Sequence, residues 1–238
     1  MKPLALLLDL DDTILDDSSL VHDSWRDACA GLADRLAPLD TAIVVEAIRN
    51  TSKWFWGDPD RHRDGRLQLD ATRREVVRLA LLELGVNDAG LAACIGDAYS
   101  HRRDVGMTLL PDALETVRWL RDSGRRLALL TNGGAAAQRR KITRFELAEL
   151  FDVILVEGEL GFGKPEERVY QRALSALGTE PEQAWMVGDN LEWDVAAPQK
   201  LGMSGVWIDT RGQGLPEHSA VRPDHVVRSL AELRSLIR

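Results

Sequence analysis

The distribution of apolar positions divides the chain into two regimes. Near the N-terminus and again after Met107, short apolar runs alternate with amphipathic stretches, the rhythm of a parallel α/β sheet. The pattern predicts strands at residues 4–8, 127–130, 153–156, 184–187 and 206–208, with a weaker candidate at 226–227. Helical stretches separate them. Leu114, Val117 and Leu120 share one face of a helix over 113–121 that Gly124 ends, and a helix over 169–177 is closed by Gly178. Right-handed crossovers would bring the carboxyl ends of the strands to one edge, where open α/β sheets bind ligands.

From Asp17 to about Asp104 the spacing is helical, with apolar residues at helical intervals over 42–48 and 76–84 and no convincing strand. Gly57, Pro59 and Gly65 interrupt this pattern, so residues 54–65 read as a loop. The expected organisation is an α/β core formed by residues 1–16 and 109–238, with an all-helical domain inserted at 17–108. Hinges are expected near Asp16-Asp17 and between Asp104 and Pro111, where Gly106 and Pro111 break the pattern.

Composition narrows the functional classes. A chain of 238 residues buries roughly 70–75% of its unfolded surface and needs no covalent staple. Cys29 and Cys94 lie far apart within helical pattern and read as reduced thiols of a cytoplasmic protein, not as nucleophiles. No apolar stretch reaches the ~18 residues of a membrane span, and Met1-Lys2-Pro3 runs straight into the first strand, so neither a signal peptide nor a membrane partner is expected. A net charge of −8 argues against a nucleic-acid partner, since such binders usually carry a basic face. Oligomeric state is not legible, and a homodimer stays open.

Four strings carry candidate chemistry, each at or just beyond a predicted strand end: Asp9-Leu10-Asp11-Asp12-Thr13, Thr131-Asn132-Gly133, Gly163-Lys164-Pro165, and Gly188-Asp189-Asn190-Leu191-Glu192-Trp193-Asp194. Strand alternation puts Asp9 and Asp11 on the same side of the chain as it leaves the sheet. Two carboxylates ~4 Å apart repel by about 4 kcal/mol at an effective dielectric near 20, so the pair calls for a cation, a shared proton or a solvated gap. Each string alone is an ordinary turn, loop or cap. Their joint order is not.

Taken together the four strings resemble the haloacid dehalogenase superfamily, over residues 4–15 and about 109–208. The resemblance implies a Rossmann-like parallel sheet flanked by helices, with the insert as a helical cap that closes over the site. It implies a Mg²⁺-dependent phosphatase for a small phosphorylated metabolite, a nucleotide or sugar phosphate, working through an aspartyl phosphate. Asp9 takes the place of the nucleophile, and Asp11 that of the acid that protonates the leaving oxygen and then activates water. Asp9, the backbone carbonyl of Asp11, and Asp189 would bind the ion. Thr131 and Asn132, with a hydroxyl and backbone N–H groups at a helix start, would hold phosphoryl oxygens, while Lys164 would offset the carboxylates and the transferring charge. Asp194 is expected to support the site through a water or a hydrogen bond and not by direct ligation, and Thr13 to order the turn. Asp12 and Asn190 are as readily turn or helix caps.

The rivals are a 2-haloacid dehalogenase or a phosphomutase on the same fold, or a regulator that binds a phosphorylated ligand without turnover. Halide leaves without a proton, so Asp11 favours phosphoryl transfer over dehalogenation. The run Thr131-Asn132-Gly133, Gln138, Lys141, Phe151-Asp152 and 161–165 is similar to the branch of N-acylneuraminate-9-phosphatases and pyrimidine nucleotidases, although Glu157-Gly158-Glu159 and Pro198 depart from it. In the insert, Arg61, His62, Arg63 and Arg66 could meet a second anionic group and Trp54 or Trp56 could stack on a ring. Solvated charges and core tryptophans are the commoner fates of such residues. His22, His101, His218 and His225 show no metal-ligand spacing.

Overall fold

The computed structural model describes residues 2–237. Internal packing divides the chain into two compact units, Met1–Asp16 with Thr108–Arg238, and Asp17–Met107.

The first unit is built on a sheet that contains all six strands expected from the sequence. In chain order the strands are β1 (Ala5–Leu8), β2 (Leu15–Asp16), β3 (Thr108–Leu109), β4 (Arg126–Thr131), β5 (Val153–Val156), β6 (Ala184–Gly188), β7 (Ser204–Ile208) and β8 (His225–Val227). Six of them form one parallel sheet in the order β5-β4-β1-β6-β7-β8. Strand β1 is central, with Leu8 paired to Leu129 on one side and Val187 on the other. A strand between two neighbours and covered on both faces reads as an unbroken apolar run, which is why Ala5, Leu6, Leu7 and Leu8 are all fully buried. On one face Ala5, Leu7, Leu130 and Met186 pack against Val169, Tyr170, Ala173 and Leu174 of the helix Glu167–Leu177. Leucines this deep are worth ~2–5 kcal/mol each against alanine. The edge strand β8 was the faintest in the sequence because Val226, half exposed, has only one covered side.

β2 and β3 were not anticipated. They form a short antiparallel ladder, Leu15 against Leu109 and Asp16 against Thr108, where the chain leaves and re-enters the core.

The second unit contains six helices: Val21–Ala30, Ala33–Leu36, Thr41–Trp56, Pro59–Leu67, Leu69–Glu83 and Ala89–Gly106. Its core gathers Trp25, Ile48, Val77, Leu81, Ile95 and Tyr99, with the rings of Trp25 and Tyr99 stacked 3.6 Å apart. The sequence reading of 54–65 as a loop is overturned. The helix Thr41–Trp56 runs through Trp54 and Trp56, and a new helix starts at Pro59, leaving only Gly57 and Asp58 between them. Asp58 caps the second helix by accepting from the Arg61 N–H at 2.9 Å, and Pro59 sits in the first turn, where a missing N–H costs nothing. The glycine and proline mark a helix boundary here. Among the described residues, no helix is long and apolar enough to cross a membrane.

Candidate active site

The four strings converge at the carboxyl edge of the sheet. Asp9 directly follows β1, its N–H continuing the ladder onto the Val187 carbonyl at 3.0 Å. The chain then turns sharply: Asp12 takes a left-handed conformation at φ 55°, and Ile14 and Leu15 both donate to the Leu10 carbonyl at 2.9 Å. Thr13 is buried in this turn with its hydroxyl 3.5 Å from Asp9 Oδ2.

Lys164, only 2% exposed, is the electrostatic centre. Its Nζ donates to Asp9 Oδ1 at 2.6 Å and to Asp194 Oδ1 at 2.7 Å. Burial alone would push the ammonium down, but the carboxylates of Asp194 and Asp9 overcome that and hold it above its ordinary range. The side chain of Asn132 fixes the loop, its Nδ2 donating to the Lys164 carbonyl at 2.6 Å and its Oδ1 accepting the Lys164 N–H at 2.9 Å. Gly163 is required by this clamp, since a Cβ there would lie 2.5 Å from Asn132 Oδ1. The side chain of Asn132 is thus committed to Lys164, leaving its backbone as the part able to face an anion. Glu157, buried, accepts the Gly133 N–H at 2.8 Å and braces the same turn.

Asp189 and Asp194 follow β6. Asn190 accepts from the N–H groups of Glu192 and Trp193, both at 3.0 Å, and so caps the π-helical turn Leu191–Ala196. That turn brings Asp194 back over Gly188, where a Cβ would meet Asp194 Oδ2 at 2.2 Å, so only glycine fits. Asp194 is fully buried. Trp207 of β7 donates its indole N–H to the Asp189 carbonyl at 2.8 Å, and the Tyr170 hydroxyl donates to the Trp193 carbonyl. Burial pushes that phenol well above its usual range.

Carboxylate oxygens of Asp9, Asp189 and Asp194 lie within 4.8 Å of one another, with Asp189 the most open to solvent. At that separation each like-charged pair repels by about 3 kcal/mol at an effective dielectric near 20. Lys164 is one cation among three acids. Asp9 is accordingly pushed up to about 7, by burial first, with Lys164 opposing and Asp194 and Asp11 adding to the rise. Asp189 is pushed up to about 8, again by burial first and then by the charges of Asp9, Asp194 and Asp12, with Lys164 opposing. Such a set of hard oxygens with excess negative charge fits a divalent cation. Mg²⁺ binds oxygens at ~2.0–2.1 Å, so two ligands on opposite sides of the ion are ~4.2 Å apart.

The carboxylate of Asp11 is held elsewhere, by Lys141 Nζ at 2.7 Å and Gln138 Nε2 at 2.9 Å. Thr131, buried at the end of β4, accepts from the same Gln138 nitrogen at 2.5 Å. Every residue proposed from sequence for the core site thus sits at this edge: Asp9, Asp11, Thr131, Asn132, Lys164 and Asp189. Sequence reasoning assigned no role to Gln138, Lys141, Tyr170, Trp207 or Glu157. The first two were named only within the branch-like run, without a chemical role, and carried a further signal in their spacing of three on a helix that starts just after Thr131. Glu157 stood out only as a departure from the branch's pattern, and Tyr170 and Trp207 carried only the mark of packing.

A family model for haloacid dehalogenase-like hydrolases matches residues 4–202. The chain belongs to that family, and it is an enzyme of the family's phosphatase branch. It is 35% identical over 248 aligned positions to a phosphoserine phosphatase of Thermus thermophilus, covering 96% of each chain. It is 37% identical over 133 residues to an N-acylneuraminate-9-phosphatase of Rattus norvegicus, covering 56% of this chain and 53% of that one. In fold it is similar to the HAD-hydrolase YfnB of Bacillus subtilis, solved bound to magnesium, with a TM-score of 0.74 over the whole of both chains and 21% identity.

Proposed function

We propose that the protein is a Mg²⁺-dependent phosphatase that hydrolyses a small phosphorylated metabolite by transient transfer of the phosphoryl group to Asp9. The observation that carries this reading is the buried Lys164 ammonium gripping Asp9 and Asp194 beside Asp189, at the strand edge where Thr131 ends β4. Asp9, Asp189 and Asp194 would offer side-chain oxygens to the ion, with the Asp11 backbone carbonyl as a further ligand. When bound, the ion would neutralise the carboxylates and draw charge from the phosphoryl oxygens.

The protein's own groups account for the rest. An Asp9 oxygen attacks phosphorus as the bond to the leaving oxygen breaks, and Asp11 gives its proton to that oxygen. Asp11 then takes a proton from water as the water oxygen attacks phosphorus, which releases inorganic phosphate and restores both aspartates. Lys164 orients Asp9 and, with Thr131 and backbone N–H groups near Asn132, offsets the charge of the transferring group. A halide needs no proton on departure, so an aspartate held by two donors favours phosphate. The insert would act as the cap that admits substrate, with Arg61, His62, Arg63, Arg66, Trp54 and Trp56 as its candidate contacts. The phosphoserine and N-acylneuraminate-9-phosphate activities of relatives suggest phosphorylated amino acids and sugars, alongside nucleotides, as the first substrates to assay. Two free cysteines, one of them exposed, suit a cytoplasmic enzyme.

Phosphate release from a panel of such esters, with and without Mg²⁺, tests the reading. Activity should require the ion and vanish in Asp9→Asn. Sustained metal-dependent turnover by a folded Asp9→Asn protein would remove Asp9 as nucleophile, and halide release from 2-haloacids without phosphatase activity would replace the reaction.

A further inference from the structure

Lys141 and Gln138 are engaged at the site without a task in the scheme above. They lie three residues apart on the helix Ala135–Arg144 and so present to the same face. Lys141 Nζ holds Asp11 Oδ1 at 2.7 Å, and Gln138 Nε2 holds Asp11 Oδ2 at 2.9 Å. Each carboxylate oxygen has its own donor, so the plane of the group is fixed at two points. Gln138 Nε2 also lies 2.5 Å from Thr131 Oγ1 and 3.0 Å from the Asn132 carbonyl. One buried amide therefore relates the position of Asp11 to the loop that ends β4. The Lys141 side chain is 14% exposed, so its pair with Asp11 is better shielded than a surface salt bridge.

We propose that Lys141 is a positioning residue that, with Gln138, aims Asp11 at the leaving oxygen. The inference rests on the reading of Asp11 as the proton carrier. Proton transfer needs donor and acceptor ~2.6–3.2 Å apart, whereas a free aspartate in a turn samples several rotamers. A misplacement of ~1 Å can cost about 10²-fold in rate. A lysine serving only to attract phosphate would act alike on every ester. A lysine aiming the acid acts most on esters whose alcohol must be protonated to leave.

That difference is measurable with 4-nitrophenyl phosphate, whose leaving group departs readily as the anion, and phenyl phosphate, whose leaving group is a much stronger base. The ratio kcat/KM reports only steps up to departure of the phenol, so later hydrolysis of the phosphoenzyme does not mask the effect. Lys141→Met should lower kcat/KM for phenyl phosphate by on the order of 10²-fold, and at least tenfold less for 4-nitrophenyl phosphate. Lys141→Arg should recover most of the loss, and Lys141→Gln serves if the methionine variant does not fold. Asp11→Asn, measured beside them, should show the same split between esters, and larger. An equal loss on both esters, or no loss, in Lys141→Met while Asp11→Asn retains the split overturns the positioning role alone. Absence of the split in Asp11→Asn removes the proton role of Asp11 and this inference with it.

Discussion

The two units of the molecule handle buried charge in opposite ways. In the helical unit the deeply buried cation, Arg103, is matched: it pairs with the Asp17 carboxylate at 2.9 Å and donates to the Tyr99 hydroxyl at 2.6 Å. Several other ion pairs there, such as Arg49 with Glu46 and Arg26 with Asp23, join exposed residues three apart on a helix. At the sheet edge of the core, one buried ammonium faces three clustered carboxylates. A fold that needed only stability has no reason to gather a surplus of one sign, because desolvation penalises every member. On this surplus rests the proposal that a cation and a phosphoryl group bind here. Matched burial in the helical unit supports no such reading.

Removing the central cation should break this contrast most severely. Lys164→Met leaves Asp9 and Asp194 buried without their common partner, and should abolish turnover while costing ~3–5 kcal/mol of stability, read from chemical denaturation. Retention of full activity would remove Lys164 from the mechanism. A second test uses the surplus itself. Because Asp9 and Asp189 are held up at about 7 and about 8, the metal-free fold favours their protonated forms. Their stabilising contribution is complete below the ordinary carboxylate range near pH 4 and is lost as pH rises through 7 and 8. Mg²⁺ bound as proposed would take the place of those protons, so its effect on Tm should be larger at pH 8 than at pH 5. With free ion at about 100 times Kd the gain approaches ~2.7 kcal/mol; an equal or greater shift at pH 5 would speak against ion binding by these groups. The smallest effect belongs to the helical unit's surface. Arg49→Ala removes an exposed pair and should change stability by no more than ~0.5 kcal/mol and leave kcat unchanged, and a large loss would show that exposed pairs there do more than solvate.

How far the sequence could be read depended on the range of the forces involved. Strands buried on both faces announce themselves as unbroken apolar runs, so β1, β4 and β6 were legible to within a residue or so of their ends; β5, at the sheet edge and only partly buried at Val153 and Ile154, was legible because all four of its residues are apolar. Asp9, Lys164 and Asp189 were legible because each sits at a strand end or beside a proline in a fixed order. Asp194 was harder. Its distance of five residues from Asp189 suits no face of an α-helix, and only the π-helical turn capped by Asn190 returns it to Lys164. The loop expected at 54–65 failed for a local reason: Asp58 supplies a cap and Pro59 a first-turn residue, so a breaker pattern ended one helix and began the next. Trp54 stands half exposed with the Arg61 guanidinium 3.9 Å from its ring centre, a contact made across that boundary and invisible to periodicity.

The short ladder of β2 and β3 bears on how such a molecule can change. Leu15 is paired with Leu109, Asp16 with Thr108, and the Leu110 N–H reaches the Ile14 carbonyl at 2.9 Å. The two ends of the core's interrupted chain are therefore already hydrogen-bonded to each other as neighbouring strands, as they would be in a hairpin. Whatever lies between them enters and leaves through one closed joint that the core itself supplies. Lengthening, shortening or exchanging the intervening 91 residues, Asp17–Met107, leaves the backbone pairing on the core side of that joint intact. The insert can then be revised as a cassette without touching the turn that carries Asp9 and Asp11.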